Sequence, residues 1–164
     1  MKRNKELLTL ICLGLLISLA GILVPVDIFA EDIQLSAGQT VYVPIYSHIY
    51  SGVKGRPFDL AATLSIRNTD LKKSITLVSV KYYDSDGKMV EDYLKKPEQL
   101  NSLVSTRYII TEGDKAGGSG ANFIVVWKSD QKVNPPVIEA VMIGTHSGQG
   151  ISFLSRGQVI REDR

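Results

Sequence analysis

Cysteine is almost absent from this 164-residue chain, because Cys12 is the only one and it lies inside an apolar run. Residues 31–164 therefore contain no thiol, which excludes a disulfide, a thiol nucleophile and a cysteine-ligated metal from that part of the chain. Histidine is nearly as scarce, with 2 residues in the sequence. A domain of this composition has to be held together by its own apolar core.

An excess of charge of one sign is also lacking, because 19 basic side chains face 17 acidic ones and the formal net charge is +2. After the N-terminus the basic residues occur singly or in pairs, such as Lys72 with Lys73 and Lys95 with Lys96. Nucleic acid and anionic membrane surfaces attract proteins through dense basic patches. Neither is therefore predicted as a partner.

The N-terminus has the composition of an export signal. Three basic residues within the first five precede an apolar run from Leu7 to Val26, and Ala30 fits the position before a cleavage site. We predict a signal peptide over residues 1–30, cleaved after Ala30, and an extracytoplasmic protein, periplasmic or secreted. The alternative is an uncleaved anchor, since about 20 apolar residues suffice to cross a bilayer. The membrane is a predicted partner only in that second case.

Helical periodicity is lacking after residue 30, and short runs rich in Val, Ile and Phe separated by turn residues take its place. The clearest alternation makes every second residue from Phe58 to Ile66 apolar, and Asp84 to Gly87 is typical of a hairpin turn. About eight or nine such strands predict an all-β fold, an immunoglobulin-like antiparallel β-sandwich. We expect it to form a single domain over residues 31–164.

Interruptions of the apolar runs predict where strands bend or end. We expect a turn at Ala37-Gly38-Gln39 and a loop from Ser47 to Pro57. Pro44 predicts an edge or bulged strand, because proline has no N–H for the ladder. The change of apolar parity at Val78 predicts a bulge, and Lys95 to Thr106 is expected to cross between two sheets.

The densest part of the core is predicted in the C-terminal third. Residues 122–128 are apolar on both faces, with Phe123, Val125 and Trp127 on one face and Ile124 and Val126 on the other. Residues 137–143 show the same pattern. Strands that are apolar on both faces are usually covered on both sides, so we expect both to be central or doubly covered.

Gly117-Gly118-Ser119-Gly120 is the most distinctive loop of the sequence. Its backbone N–H groups would suit an anion or a partner. However, a strand rather than a helix follows it, and the Lys-Ser/Thr ending of nucleotide loops is missing. A flexible or bulged connection is the alternative interpretation.

The two histidines, His48 and His146, are both predicted in loops at strand ends. If those ends share one pole of the sandwich, the imidazoles together with Asp59 or Asp114 would suit zinc or copper. Two unrelated surface histidines are the alternative. The aspartates of the turns, Asp70 and Asp84 among them, lack the spacing of a calcium loop.

Tyrosine is the abundant aromatic residue, with 7 in the chain. Tyr82 and Tyr83 are neighbours, so one should face the core and the other solvent. An outward Tyr83 would form a binding face with Tyr46 or Tyr50; ordinary packing is the alternative. The candidate binding residues are thus His48, Tyr50, Tyr83, Gly118, Ser119, Gly120, Asn122, His146 and Gln149.

Catalytic motifs are missing. No serine lies in a Gly-x-Ser-x-Gly elbow, and the acidic residues fall mostly in turns or on wet strand faces. We predict no catalytic residue and no cofactor. The expected function is a non-catalytic exported binding or accessory module, whose partner is a protein or small molecule of the cell envelope. The alternative is an exported zinc- or copper-binding protein that uses His48 and His146.

Five segments carry a family resemblance: Tyr46 to Gly52, Leu64 to Asp70, Tyr82 to Asp84, Gly117 to Phe123, and Ile143 to Phe153. Through them the chain resembles a small family of exported bacterial proteins known as a domain of unknown function. The resemblance covers nearly all of residues 31–164 and implies a bacterial, exported, single-domain protein, with no functional residue assigned. Many members resemble lipoproteins, and this chain departs from them because Cys12 lies inside the apolar run.

A second resemblance concerns the fold alone. The order of strand, Asn68-Thr69-Asp70 turn, strand and aspartate-rich hairpin is similar to that of the β-sandwich transducer partners of sensory rhodopsins. A shared fold does not imply a shared function.

Overall fold

All regular secondary structure in the described part of the chain is β-strand. The computed structural model describes residues 34–163 except 52, 53 and 147, and for residues 51, 146 and 149 it describes the backbone but not the side chain. The predicted signal or anchor segment, residues 1–30, lies outside these residues. Within them, no helix has the length and apolar character needed to span a membrane.

Twelve strands run through the described residues. In chain order they are β1 (Ser36–Pro44), β2 (His48–Ser51), β3 (Arg56–Asp59), β4 (Ala61–Arg67), β5 (Ile75–Tyr83), β6 (Met89–Asp92), β7 (Glu98–Leu100), β8 (Ser105–Ile110), β9 (Asn122–Val133), β10 (Val137–His146), β11 (Gln149–Arg156) and β12 (Gln158–Glu162).

The strands form two antiparallel sheets and one separate hairpin. The six-stranded sheet has the order β12-β1-β9-β5-β6, with β7 also paired to β5, and the four-stranded sheet has the order β11-β10-β4-β8. β2 and β3 pair only with each other. The inner faces of both sheets contribute to one apolar core. The predicted antiparallel β-sandwich is therefore confirmed.

The core follows from strict alternation along the strands. Along β3, β4 and the single residue that joins them, Phe58, Leu60, Ala62, Leu64 and Ile66 are all buried, as predicted, while those between them are partly exposed. The largest fully buried side chains of the six-stranded sheet are Trp127, Tyr82 and Phe123. Alternation of this kind gives each sheet one apolar and one wet face.

The additional strands arise in segments that the sequence predicted to be loops or crossings. The expected loop from Ser47 to Pro57 contains the β2–β3 hairpin, so His48 lies in a strand and not in a loop. The crossing between sheets, residues 95–106, is confirmed because β7 pairs in the six-stranded sheet and β8 in the four-stranded sheet. Such short pairs have too few residues to show a period.

Of the two predictions for β1, the turn was wrong and the edge or bulged strand was correct in its second alternative. Ala37-Gly38-Gln39 lies within the strand, where an irregular register between Ser36 and Gly38 replaces the expected turn. Pro44 does not mark an edge strand, because β1 is an interior strand between β12 and β9, but the predicted alternative of a bulged strand fits, since the register of β1 against β12 shifts between Thr40 and Val41. Its missing N–H is tolerated because Pro44 is the last residue of β1, beyond the pairing of Tyr42 with Gln158 in β12.

The predicted bulge in β5 and the predicted hairpin turn after it were both confirmed. The register of β5 against β9 shifts between Leu77 and Ser79, which is the bulge predicted at Val78. In the β5–β6 hairpin, Gly87 has a φ of 78°, and its N–H donates to the Asp84 carbonyl at 3.1 Å. The carboxylate of Asp84 accepts from the N–H groups of Asp86 and Lys88. Backbone donors thus engage this carboxylate, as turn chemistry predicts.

The two strands of the C-terminal third differ in how they are covered. β9 is central, with Trp127 fully buried and Ile124 and Val126 half-buried on the outer face, so its predicted position is confirmed. β10 is apolar on both faces but covered on one, because Val137 is 43% exposed and Ile143 is 53% exposed. β10 is nevertheless central in its sheet, between β11 and β4, so the prediction of a central or doubly covered strand is confirmed by its position and not by its cover.

Asp70 holds together the end of the sandwich where β4 ends. Its carboxylate accepts from the N–H groups of Lys72 and Lys73 at 2.9 Å and of Asn134 at 3.2 Å. The Lys72 bond contributes most to lowering the pKa of this carboxyl below its usual 3.8, and partial burial opposes it. Hydrogen bonds to the charged form favour ionisation. One side chain therefore connects the β4–β5 turn to the β9–β10 connection.

The depressed pKa of Asp70 makes stability depend on pH. Such a group contributes stability that is present above its unfolded pKa and is lost as the pH falls through its folded pKa. We expect the free energy of unfolding to decrease below about pH 4 and Asp70→Asn to flatten this decrease. Urea denaturation at a series of pH values measures both. Asp130→Asn, on an exposed residue, controls for net charge, and an unchanged acid limb in Asp70→Asn would contradict the prediction.

Candidate binding surface at the loop end

Three segments meet at the end of the sandwich opposite Asp70: residues 45–50, residues 82–85 and the glycine loop, residues 117–122. We call this region the loop end. Ile45 N–H donates to the Ala121 carbonyl at 2.9 Å, and Ser47 N–H donates to the Gly118 carbonyl at 3.0 Å. The Ser47 carbonyl in turn accepts from Leu60 N–H at 2.8 Å. The β1–β2 connection is therefore fixed to the glycine loop and to the start of β4.

Ser85 fixes the glycine loop to the β5–β6 hairpin. Its N–H and its hydroxyl both donate to the Gly117 carbonyl, at 2.9 and 3.0 Å, and its hydroxyl oxygen accepts from Gly120 N–H at 2.9 Å. Gly118 has a φ of 75°, which glycine adopts without strain. The loop is thus braced at both ends. These contacts fix the backbone of the loop at three points, and the choice between an anion or partner contact and a flexible or bulged connection stays a prediction.

Gly117 is required because the Tyr82 side chain passes directly over it. A Cβ at this position would overlap the Tyr82 hydroxyl and would lie 2.7 Å from the Cβ of Ala121. Both neighbours are buried in the packed core, so making room for a Cβ would disturb that packing. Because glycine has no Cβ, Gly117 and Gly118 allow the backbone of the loop to cross the end of the core in direct contact with it.

Gly117→Ala should destabilise the protein by about 1–3 kcal/mol, because overpacking forces neighbouring side chains out of their rotamers. Gly113→Ala is the matched control, since a Cβ there meets nothing within 4 Å. Guanidinium denaturation of both variants measures the difference. Equal stability of the two variants would show that the glycine loop relaxes without cost.

Burial raises the pKa of the Tyr82 hydroxyl, mainly through desolvation, so it remains protonated at neutral pH. This hydroxyl lies 3.4 Å from the Ser47 hydroxyl. The Tyr82 ring packs against Phe123 with centroids 5.4 Å apart. Ser47 and Tyr82 thus form a buried polar pair within the loop end, while Ser85 contacts the glycine loop from the exposed side. Ser47 and Ser85 are not recognisable as site residues in the sequence, because single serines carry no spacing signal.

His48 and Tyr50 lie on β2 at the exposed side of the loop end. The His48 ring nitrogen Nε2 is 3.3 Å from the Tyr50 hydroxyl, the two rings meet edge to face, and Tyr50 is 65% exposed. The cross-strand partner of His48 is Asp59, whose carboxylate lies 3.8 Å from the Lys115 ammonium group. Of the candidate metal ligands, His48 and Asp59 are therefore neighbours.

His146 and Gln149 close the β10–β11 hairpin, where their backbones are paired, and their side chains lie outside the described residues. β10 runs antiparallel to β4, with Ile143 opposite Ala61, so its last residues continue toward β3. The described residues contain no group of three or more potential metal ligands. The zinc or copper hypothesis remains a prediction.

Tyr83 and Asn122 are direct cross-strand partners on the outer face of the six-stranded sheet, next to the glycine loop. Tyr82 is buried and Tyr83 half-buried, so the predicted inward and outward orientations are confirmed. Tyr46 does not join this face, because its ring packs edge to face on Phe153 of β11, 5.7 Å away, and contributes to the core. The structure thus places Tyr83 with Asn122 instead of with Tyr46.

A cluster of tyrosines that the sequence did not reveal fills the core behind Tyr82. Tyr93, between β6 and β7, packs on Tyr108 and Phe123 with centroids 5.2 and 5.8 Å apart. Burial raises the pKa of Tyr93 to about 12, with further contributions from Glu91. Tyr93 therefore has a structural position, because it lies between the two sheets.

The loop end presents hydroxyl, imidazole, amide and aromatic groups on a braced backbone. Gly120 is exposed, and Gly118, Ser119 and Asn122 are partly exposed. Surfaces that combine tyrosine with small polar residues bind through rigid aromatic contacts and adaptable hydrogen bonds. The arrangement is therefore suited to recognition of a partner.

These features define an antiparallel β-sandwich in which hydrogen bonds join three chain segments at the loop end. A family model for a protein of unknown function, DUF3124, matches residues 38–160. The chain belongs to this family. The predicted resemblance to an uncharacterised family is thereby confirmed.

The other comparisons add little. No curated protein matches the chain. A solved structure, described as Crystal Structure of Thermotoga maritima 1070, is similar to it at 13% identity, with 76% of this chain and 97% of that chain covered and a TM-score of 0.45.

Proposed function

We propose that this protein is an exported, non-catalytic binding or accessory module that recognises its partner in the cell envelope through the loop end. The observation that carries the proposal is the bracing of three chain segments by Ser47, Ser85 and the glycine loop. Preorganised groups bind with a smaller loss of conformational entropy than mobile ones. Ser119 and Asn122 lie on or next to this fixed backbone, and Tyr50 is exposed on β2, which begins directly after Ser47.

Export is the second part of the proposal, and the N-terminal sequence supports it. The basic start, the apolar run and Ala30 are those of a signal peptide. We expect the mature protein to begin at Glu31. Intact mass of the protein from the extracytoplasmic fraction measures this, whereas a membrane-bound species that begins at Met1 would show that the segment is an uncleaved anchor.

The binding function is tested by capture of the native protein from the cells that produce it, followed by identification of the retained protein or small molecule. We expect Tyr50→Ala and Ser119→Trp to weaken retention about tenfold, by loss of an aromatic contact and by a steric block. Lys132→Ala is the control, because Lys132 is exposed near the other end of β9 from Asn122. Retention that is equal in all variants would place the binding surface elsewhere.

A further inference from the structure

An apolar band crosses the outer face of the four-stranded sheet. Leu154 on β11, Val141 on β10, Thr63 on β4 and Ile109 on β8 are successive cross-strand partners, and Ile143 follows Val141 on the same face of β10. Ile109 is 55% exposed and Leu154 is 47% exposed. Cross-strand neighbours lie about 5 Å apart, so these side chains adjoin one another, with half-buried Thr63 as the polar member at the centre of the band. Continuous exposed apolar surface is typical of an interaction site.

A basic row borders this band on the side away from the loop end. Arg156, Glu139, Ser65 and Arg107 are successive cross-strand partners, and Arg67 follows Ser65 on the same face of β4. The single carboxylate is already engaged, with Arg67 at 3.9 Å from Glu139. In the part of the chain that the structure describes, no ion pair involves Arg107 or Arg156, and both are exposed. The row therefore has an excess of positive charge.

We propose that this face is a second docking surface and that its occupant is a segment of another protein in which apolar side chains are flanked by carboxylates. The apolar band would supply burial, and the guanidinium groups would bind the carboxylates in a bidentate manner. This surface lies on the opposite sheet from Tyr83 and Asn122, so the proposal does not depend on the function of the loop end.

A second copy of the chain fits this surface less well. If two bands packed face to face about a two-fold axis parallel to the strands, each basic row would meet itself. If the axis ran across the strands along the band, the arginines would lie over the row of Ile143 and Ala61, which has no carboxylate. Like charges that meet in an interface repel each other, and charges buried there without a partner disfavour the complex. An acidic partner has neither problem.

The proposal is tested with a photo-crosslinking amino acid, benzoylphenylalanine, in place of Thr63 at the centre of the band, in the full-length protein within the cells that produce it. The same replacement of Ser79, on the outer face of the six-stranded sheet, is the matched control. We expect irradiation to join the Thr63 variant to a different protein, at a segment containing Asp or Glu. The control should not form this adduct.

Charge variants then test the basic row. Arg107→Glu with Arg156→Glu should reduce the adduct about tenfold, while lysine at both positions should retain most of it. Lys128→Glu with Lys132→Glu matches the change in net charge, and thermal denaturation verifies that every variant is folded. The proposal would be overturned if no adduct formed, or if the adduct joined a second copy of the chain, lipid alone, or a segment without acidic residues. An adduct that charge reversal leaves unaffected would overturn it too. Tyr50→Ala should leave the adduct unchanged, which separates this result from that of the loop end.

Discussion

Trp127→Ala is expected to destabilise the protein by about 3–5 kcal/mol, a large part of the roughly 5–15 kcal/mol that stabilises a typical domain. Trp127 is fully buried on the central strand of the six-stranded sheet, between Gln39 of β1 and Leu77 of β5. Both flanking strands are fixed in the sheet, so they cannot collapse into the cavity. Phe123 lies four residues before Trp127 on the same buried face of β9, so Phe123→Ala should cost a similar amount.

Two further substitutions test whether the stability lost in Trp127→Ala comes from the buried volume of the tryptophan side chain. Trp127→Phe should cost much less than Trp127→Ala, because the indole Nε1 has no hydrogen-bond partner in the described structure and its removal leaves no polar group unpaired. Ser119→Ala in the glycine loop should be nearly neutral. Chemical denaturation measures the stability of Trp127→Ala, Trp127→Phe and Ser119→Ala. A loss below about 1 kcal/mol in Trp127→Ala would contradict the position of this residue in the core.

The sequence was sufficient to predict the sandwich because the alternation of apolar residues reports burial directly. From Phe58 to Ile66 every second side chain is buried, as expected. At β10 the same signal does not predict whether the outer face is covered, because a sequence pattern shows which residues share a face and not what packs on it. Whether another layer covers it depends on the tertiary structure, and the outer residues Val137 and Ile143 are exposed.

The loop end was predictable only in part, for a related reason. Gly118, Ser119, Tyr83 and Asn122 were selected because glycine loops and paired tyrosines are recognisable in a sequence. Ser85 was not, because its role depends on the β5–β6 hairpin coming within hydrogen-bond distance of the glycine loop, 32 residues away in the chain. Long-range backbone contacts of this kind leave no periodic or spacing signal.

Asn68→Asp is expected to have an effect as large as the loss of the core tryptophan, although the two side chains have almost the same shape. Asn68 is buried, with 2% of its surface exposed, and its amide nitrogen donates to the carbonyls of Lys73, Leu100 and Asn101 at 2.8–3.2 Å. Its Oδ1 accepts from Asp70 N–H at 3.0 Å. This side chain therefore joins the β4–β5 turn to the β7–β8 crossing.

A carboxylate at this position would face three carbonyl oxygens without a donor, and protonation could restore only one hydrogen bond. Because each unpaired buried polar group costs about 1–3 kcal/mol, we expect Asn68→Asp to lose at least about 3 kcal/mol at neutral pH and to regain part of it in acid. Asn68→Ala should lose about 3 kcal/mol at every pH. Asn101→Ala is the control, because its exposed side chain leaves the accepting carbonyl in place. Urea denaturation at pH 7 and pH 4 separates these cases, and an Asn68→Asp variant as stable as the parent at pH 7 would show that the three carbonyls find other donors.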